Sequence, residues 1–221
     1  SIPTLGAIGE LSDAGRPDLK ALSVRPTPPA HYQLLKNNIV RRAEDEDATA
    51  LSVCSPTSGE GSSTLALNVA AALAKDSSQR IALVDANLRH PSIHDYGNVS
   101  GSPGFCEIIG GDLNVSETVQ QSAIPNLFIL ASGVSPPNPT AIFESAQLPA
   151  LIQTLKTEFD WVIFDSADIN LYADTTLLAP LMDGVILTVQ AEHKRAEVAI
   201  QATARLQEAG AKILGAALNR R

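Results

Sequence analysis

Six short apolar segments, separated by helical stretches, constrain the fold of this chain more than any other feature. Within each segment the apolar residues run on almost without a break, which is typical of strands buried on both faces of a sheet. Strands and helices that alternate in this way predict an α/β fold, a doubly wound and mainly parallel sheet flanked by helices. The predicted strands are residues 50–54, 81–85, 127–131, 161–165, 185–189 and 213–218, and the clearest predicted helices are residues 63–74, 148–158, 175–181 and 194–209.

The chain is expected to form one domain after an N-terminal arm. It has 221 residues, of which 44% are hydrophobic, and no interior linker is visible. Residues 1–29 are rich in Pro, Gly, Ser and Ala and lack a clear periodicity, so we expect an extended or mobile arm with little structure. An amphipathic helix is predicted next, ending near Arg42. The domain itself is assigned to residues 30–221.

Composition and charge exclude several classes of protein. The net charge of −8, without a dense run of Lys or Arg, argues against a nucleic-acid partner. Cys54 and Cys106 have neither metal-ligand nor disulfide spacing, which favours a reduced cytoplasmic compartment. No apolar run of about 20 residues predicts a membrane span, and the N-terminus lacks the layout of a signal peptide. Because the chain begins at Ser1, we expect a processed protein or the soluble part of a longer one.

The segment after the first of the six predicted strands has the form of a phosphate-binding loop. Residues 55–64 read Ser-Pro-Thr-Ser-Gly-Glu-Gly-Ser-Ser-Thr. Gly59 and Gly61 would let backbone N–H groups point at phosphate oxygens, and the next helix adds the positive end of its dipole. Ser62 occupies the position of the lysine that normally reaches the β- and γ-phosphates. The alternative is an ordinary Gly/Ser turn.

The missing lysine predicts weak nucleotide binding and poor turnover. One charge-assisted hydrogen bond contributes about 1.5–3 kcal/mol to binding. The loss of a preorganised donor to the transition state costs about 100- to 1000-fold in rate. We therefore expect binding to suffer less than catalysis.

Two carboxylates end other predicted strands. The carboxyl ends of parallel strands meet at one edge of the sheet, so Asp85 and Asp165 should lie beside the loop. The alternative is that these acids only cap the turns that follow. His90, His94 and His193 have no Cys or acid at metal-ligand spacing, and we interpret them as solvated histidines.

These residues together resemble the bacterial tyrosine kinases of capsular and exopolysaccharide synthesis, which belong to the deviant P-loop group that also contains the MinD and ParA ATPases. The resemblance covers about residues 30–221. Its Pro-Pro-Asn-Pro segment at residues 136–139 separates this family from the partitioning ATPases. The other matching motifs are residues 59–64, 81–94 and 159–165, Asp183 with Gly184, and Leu218, Asn219 and Arg220.

The resemblance implies roles for the matching positions. Ser63, Asp85 and Asp165 would hold Mg²⁺, and Asp85 would also polarise the acceptor. Asn219 would lie near the adenine, while Arg89 and Asp174 match positions near the active face. The implied catalytic residues are Asp85, Asp165 and the degenerate Asn87, and the implied nucleotide-binding residues are Ser58, Gly59, Glu60, Gly61, Ser62, Ser63, Thr64 and Asn219.

The chain also departs from the family pattern at several positions. Asn87 stands where the second acid of an Asp-x-Asp pair belongs, and an amide cannot accept a proton at neutral pH. Residues 165–168 read Asp-Ser-Ala-Asp in place of Asp-Thr-Pro-Pro. Ala30, Gln33 and Lys36 replace the Glu-x-x-Arg-x-x-Arg pattern that forms a ring of subunits. The tyrosine-rich tail is absent, and the tyrosines are Tyr32, Tyr96 and Tyr172.

The preferred hypothesis is a degenerate kinase-like domain with weak or no ATP turnover, so that ATP or ADP and Mg²⁺ would bind weakly or not at all. It would act as an interaction or regulatory module for a membrane chain-length determinant, a polysaccharide co-polymerase, fused in cis or encoded in trans. The domain would then lie at the inner face of the membrane as a monomer or small oligomer. The alternatives are an active tyrosine autokinase whose missing charge comes from Lys36, Arg89 or Lys194, and a MinD-like switch ATPase.

Overall fold

A mainly parallel β-sheet forms the centre of the molecule. The computed structural model describes residues 2–8, 30–76, 78–191 and 196–219. These residues form eight strands in the order β1-β8-β7-β2-β6-β3-β5-β4, and each described pair is parallel except β4 with β5. The strands are β1 (Thr4–Ile8), β2 (Ala50–Cys54), β3 (Ile81–Ala86), β4 (Gln120–Gln121), β5 (Leu127–Leu130), β6 (Trp161–Ser166), β7 (Gly184–Gln190) and β8 (Ile213–Asn219).

Helices cover both faces of this sheet. The described helices are α1 (Ala30–Glu44), α2 (Ser62–Asp76), α3 (Ile93–Gly97), α4 (Phe105–Gly110), α5 (Val115–Thr118), α6 (Thr140–Phe143), α7 (Leu148–Glu158), α8 (Asp174–Leu178) and α9 (Ala196–Glu208), and α8 continues as a 3₁₀ turn at Ala179–Leu181. The predicted fold class is confirmed, because the six predicted strands and the four long predicted helices all appear within a few residues of their expected bounds. Part of the fourth helix, residues 194–195, lies outside the described residues.

Alternation along the central strands divides the core between the two faces. In β6, Ile163 packs into the cluster that contains α1 and α2, whereas Val162 and Phe164 pack into the cluster that contains α4 and α7. Because both faces are covered, β2, β3 and β6 are buried along their whole length. This explains why their sequences show continuous apolar runs and not alternation.

The expectation of little structure before residue 30 is wrong for its first part. Thr4–Ile8 forms the edge strand β1 and pairs in parallel with β8, with Leu5 only 5% exposed. A Cβ at Gly215 in β8 would lie 2.6 Å from the Leu5 side chain and 2.7 Å from the Pro3 carbonyl oxygen. A glycine there lets the two strands approach. Residues 9–29 lie outside the described residues, as does residue 1.

Candidate functional site

The phosphate loop (residues 55–64) begins where β2 ends and leads into α2. Gly59 and Gly61 have φ angles of 81° and 94°, in the left-handed region that glycine tolerates. Two positive φ values so close together turn the chain sharply from the buried strand into the helix. The N–H groups in the first turn of a helix have no partner within the helix, and here that turn begins at Ser62.

A pocket of about 270 Å³ lies over this turn. Its walls are Ser58, Gly59, Gly61, Ser62, Ser63, Thr64, Asn87, His90, Ser92, Tyr96 and Asp168. In the part of the chain that the structure describes, no Lys or Arg belongs to these walls. The position of the expected lysine is occupied by Ser62, which is 8% exposed and has its hydroxyl 3.5 Å from that of Ser55.

The two predicted carboxylates lie next to each other on adjacent strands, and neither belongs to the walls of this pocket. Asp85 in β3 and Asp165 in β6 are register partners, and both are fully buried. One Asp85 oxygen, Oδ2, accepts hydrogen bonds from the backbone N–H groups of Ser92 (2.9 Å) and Ile93 (3.0 Å). Asp85 Oδ1 and both oxygens of Asp165 have no hydrogen-bond partner. Three carboxylate oxygens on two adjacent strands are thus buried without hydrogen-bond partners.

Burial controls the protonation of these acids. It raises the pKa of Asp85 to about 6, although the N–H groups of Ile93 and Ser92 oppose the rise. The pKa of Asp165 is raised well above its usual range, first by burial and then by the neighbouring Asp85 charge. The Ser63 hydroxyl faces Asp165 and opposes this shift, but its geometry falls short of a hydrogen bond to either oxygen.

The remaining pocket residues are mostly neutral. The side-chain oxygen of Asn87 accepts a hydrogen bond from the His90 backbone N–H at 3.2 Å, which turns the chain after β3. Burial raises the pKa of Asp168, against a hydrogen bond from Ser55. His90 is exposed, as expected of a solvated histidine, but it also belongs to the pocket wall.

Glu60 and Asn219 connect the loop to the neighbouring strands. Glu60 is 1% exposed, and its carboxylate accepts hydrogen bonds from the Thr57 hydroxyl and from the Gln190 backbone N–H. The side-chain amide of Asn219 donates to the Glu60 carbonyl oxygen at 2.9 Å. Asn219 therefore contacts the loop itself, and a role near the adenine stays a prediction.

Arg89 is held away from the pocket by an ion pair. Its Nε lies 2.8 Å from Asp174 Oδ2, and its terminal nitrogen Nη2 lies 3.0 Å from Asp174 Oδ1. It also donates to the Thr140 hydroxyl, and its guanidinium group lies 4.5 Å from the centre of the Tyr172 ring. Lys36 does not belong to the pocket walls, and Lys194 lies outside the described residues.

Asp183, which directly precedes β7, links this strand to the start of β2. Its carboxylate accepts hydrogen bonds from the N–H groups of Thr49 (3.0 Å) and Ala50 (2.8 Å) and from Lys156 (2.7 Å). Burial favours a higher pKa for Asp183, but these donors outweigh it and lower the pKa.

The resemblance implies a nucleotide-binding role for Glu60, but its side chain turns inward and does not belong to the described pocket walls. The sequence did not indicate the role of Ser92 or the proximity of Tyr96 to the loop. A Glu inside a Gly/Ser loop is expected to be exposed, and no local pattern predicts that it turns inward. Within the described residues, no group of three or more His, Cys, Asp or Glu side chains is arranged to hold a metal ion. No described helix is long and apolar enough to cross a membrane.

A parallel sheet with a Gly-rich loop at the end of β2, and acids near the ends of β6 beside it and of β3 one strand further, defines a P-loop-type protein. Comparison with known families supports this class: the model described as "AAA domain" matches residues 48–213. A MinD cell division ATPase from Pyrococcus furiosus, 23% identical, has a similar fold, with a TM-score of 0.66 over 78% of this chain and 72% of that one.

The more similar relatives are kinases. The tyrosine-protein kinase YwqD of Bacillus subtilis is 30% identical, over 85% of this chain and 79% of YwqD. The putative tyrosine-protein kinase EpsB of Ralstonia solanacearum is 27% identical, over 74% of this chain but only 22% of EpsB. The solved structure of the chimerical protein CapA2B2 is 26% identical, with a TM-score of 0.88 over 100% of this chain and 95% of that one. The chain belongs to the bacterial tyrosine-protein kinase family, within the group matched by the AAA domain.

Proposed function

We propose that this domain retains the nucleotide pocket of a tyrosine kinase but has lost most or all of its phosphotransfer, and that it acts as an interaction or regulatory module. The observation that carries the proposal is the lack of a cation in the described walls of the pocket. A kinase of this type needs a positive charge that follows the phosphate oxygens as charge develops during transfer. Ser62 supplies only a hydroxyl, and Arg89 is already paired with Asp174.

The residues present fit a magnesium ion. Mg²⁺ prefers oxygen ligands and is usually bound through one or two carboxylates together with substrate phosphates. Asp85 Oδ1 and the two Asp165 oxygens are buried without partners, and the Ser63 hydroxyl faces Asp165. Ser63, Asp85 and Asp165 would therefore hold the ion, which when bound neutralises charge on the phosphate oxygens. Asp85 is kept in place for this role by the N–H groups of Ser92 and Ile93.

The second departure from the family pattern is Asn87, on the side of the pocket where the phosphate acceptor would lie. Asn87 lines the pocket where a general base would have to accept the proton of a tyrosine hydroxyl or a water. An amide does not accept a proton at neutral pH, so this residue can orient an acceptor but cannot activate it. The pocket is thus proposed to lack both the cation that would bind the phosphate and the base that would accept the acceptor's proton.

The proposed setting is capsule or exopolysaccharide synthesis, the process that the family serves. The match covers 79% of YwqD but only 22% of EpsB, so related domains occur both as most of a short chain and as a small part of a long one. We therefore propose a membrane chain-length determinant as the partner, in cis or in trans. The domain would be held at the inner face of the membrane through that partner.

Assembly is proposed to be limited to a monomer or a small oligomer. Residues 30, 33 and 36 in α1 are Ala, Gln and Lys, where the family pattern has charges that pair between subunits of a ring. Light scattering of the purified domain should give the mass of one chain or a few chains. The mass of a large closed ring would contradict this part of the proposal.

The central test is turnover. Purified protein with Mg²⁺ should release no phosphate from ATP and phosphorylate no tyrosine above the level of an Asp85→Ala control. The second candidate function, an active autokinase, is favoured by the intact pair Asp85 and Asp165. Phosphate release clearly above that of the control would support the autokinase and overturn the proposed loss of activity.

A further inference from the structure

Glu60 is a buried carboxylate inside a loop whose neighbouring residues face the pocket. Gly59 and Gly61 belong to the pocket walls, whereas Glu60 turns inward and is 1% exposed. Burying a carboxylate is costly unless it is well hydrogen-bonded, so its contacts should decide the shape of the loop.

Each part of Glu60 has a partner on a different segment. Oε1 accepts a hydrogen bond from the Thr57 hydroxyl at 2.6 Å, within the loop. Oε2 accepts one from the Gln190 backbone N–H at 3.1 Å, at the end of β7. The Glu60 carbonyl oxygen accepts one from the Asn219 side chain at 2.9 Å, at the end of β8. One residue therefore joins the loop to two strands.

The two strand ends that contact Glu60 are adjacent, because Gln190 and Asn219 are register partners across β7 and β8. The Asn219 side chain also passes very close to Gly61, where an added Cβ would lie 2.6 Å from its nitrogen. The contacts of Glu60 with Gln190 and Asn219 thus support the turn at Gly59 and Gly61. Gly61 is the one described pocket residue that takes part in these contacts.

We propose that Glu60 is a positioning residue, which holds the phosphate loop in its anion-binding shape by tying it to the carboxyl ends of β7 and β8. The ADP-binding part of the test rests on the proposed nucleotide pocket. The hydrogen-exchange part does not, since the shape of the loop is measurable without a ligand. Removing the carboxylate would take away the acceptor of both the Thr57 hydroxyl and the Gln190 N–H.

The experiment compares Glu60→Ala and Glu60→Gln with the wild type and with Glu158→Ala. Glu158 is an exposed residue near the end of α7, so its substitution removes the same charge away from the loop. Hydrogen exchange is measured on peptides covering residues 55–64 and, as a core reference, residues 161–166. Calorimetry with ADP and Mg²⁺ is carried out on the same variants in a Ser62→Lys background, where binding is expected to be measurable.

Glu60→Ala is expected to speed exchange in residues 55–64 by about tenfold or more, because local opening is governed by local contacts, while residues 161–166 stay as in the wild type. Glu60→Gln should lie close to the wild type, because an amide oxygen still accepts the Gln190 N–H. In the Ser62→Lys background, Glu60→Ala should weaken ADP binding by about tenfold.

Two results would overturn the inference. One is exchange in residues 55–64 that is unchanged in Glu60→Ala relative to Glu158→Ala. The other is faster exchange in residues 161–166 as well, which would make Glu60 a contributor to global stability only. If ADP binds to none of the variants but the exchange results are as expected, the positioning role stands and the proposed nucleotide pocket fails.

Discussion

The phosphate loop and the pair Asp85 and Asp165 differ in which groups of a phosphate-binding site they contain. On the loop side, Gly59 and Gly61 keep the backbone turn, but Ser62 removes the charge. In the carboxylate pair, Asp85 and Asp165 are still side by side, and three of their four oxygens are buried without partners. The described pocket walls therefore contain no cation, whereas the carboxylate pair has unpartnered oxygens of the kind that bind metal ions. A glycine turn and a pair of buried acids can therefore occur together with a serine at the lysine position, because they lie on different segments of the chain.

The largest expected effect concerns the loop backbone. Gly61→Ala places a side chain at a φ of 94° and pushes aside the Asn219 side chain that bonds to Glu60. Left-handed strain of about 1–2 kcal/mol and a lost hydrogen bond of about 1 kcal/mol should lower the free energy of unfolding by about 2–3 kcal/mol. Urea unfolding measures the change.

Gly59→Ala is the matched control for this prediction. Its φ is 81°, but nothing lies within 4 Å of the added Cβ, so only the backbone strain of about 1–2 kcal/mol is expected. Equal destabilisation by both substitutions would show that the contact between Gly61 and Asn219 does not matter.

The carboxylate pair should cost stability in the absence of metal. Burial and the Asp85 charge raise the pKa of Asp165, so its ionised form is unfavourable in the metal-free protein. Asp165→Asn removes this ionisable group, whose oxygens have no hydrogen-bond partner, and we expect it to stabilise the metal-free protein by about 1–3 kcal/mol. In a chain of this length, each kcal/mol raises the melting temperature by about 2–4 °C. Added Mg²⁺ should raise the melting temperature of the wild type but not that of the variant.

Asp112→Asn is the control for this effect, since Asp112 is exposed and its substitution removes the same charge. A metal-free Asp165→Asn protein that melts below the wild type would show that Asp165 stabilises the fold. The carboxylate pair would then no longer count as a retained metal site.

Restoring the lost cation tests the loop side directly. Ser62→Lys should raise ATP affinity by about tenfold, or about 1.4 kcal/mol, if the backbone N–H groups still point into the pocket. Adding Asn87→Asp should change turnover more than binding, because a general base acts on the acceptor. Calorimetry with Mg²⁺ and a phosphate-release assay separate the two effects.

Ser58→Lys provides a charge-matched control, since Ser58 is exposed in the same loop and also lines the pocket. If Ser58→Lys raises affinity as much as Ser62→Lys, general electrostatic attraction explains the gain. If neither raises it, the loop has lost its geometry along with its lysine.

The smallest expected effect is a pH-dependent one, far from the loop. Asp183 has a lowered pKa, so its contribution to stability is present above the pKa of an unfolded Asp, about 3.9, and is lost as the pH falls further through its folded pKa. Asp183→Asn should destabilise by about 1 kcal/mol at pH 7, after allowance for solvent screening, and by much less near pH 3. Urea unfolding at both pH values should show the gap between variant and wild type closing; a gap independent of pH would contradict the assignment.

The sequence was sufficient for the central strands and for the loop residues that line the pocket, because these depend on local patterns. A continuous apolar run such as residues 161–165 predicts a doubly buried strand wherever it lies, and parallel strands necessarily bring their carboxyl ends to one edge. Asp85 and Asp165 therefore lie together as expected, next to the loop. The serine at position 62, where the lysine of a phosphate-binding loop is expected, can also be read directly from the sequence.

Tertiary structure decided the features that depend on distant partners. Thr4–Ile8 is a strand because β8, about two hundred residues later, offers its edge and a glycine at position 215. Glu60 points inward because Gln190 donates to it, and Arg89 is unavailable to the pocket because Asp174 binds it. The sequence by itself determined the central strands, the long helices and the residue types at the lysine and base positions, since these follow from residue type and local order. Only the tertiary structure determined how each remaining charge is paired, because that depends on contacts between segments that are remote along the chain.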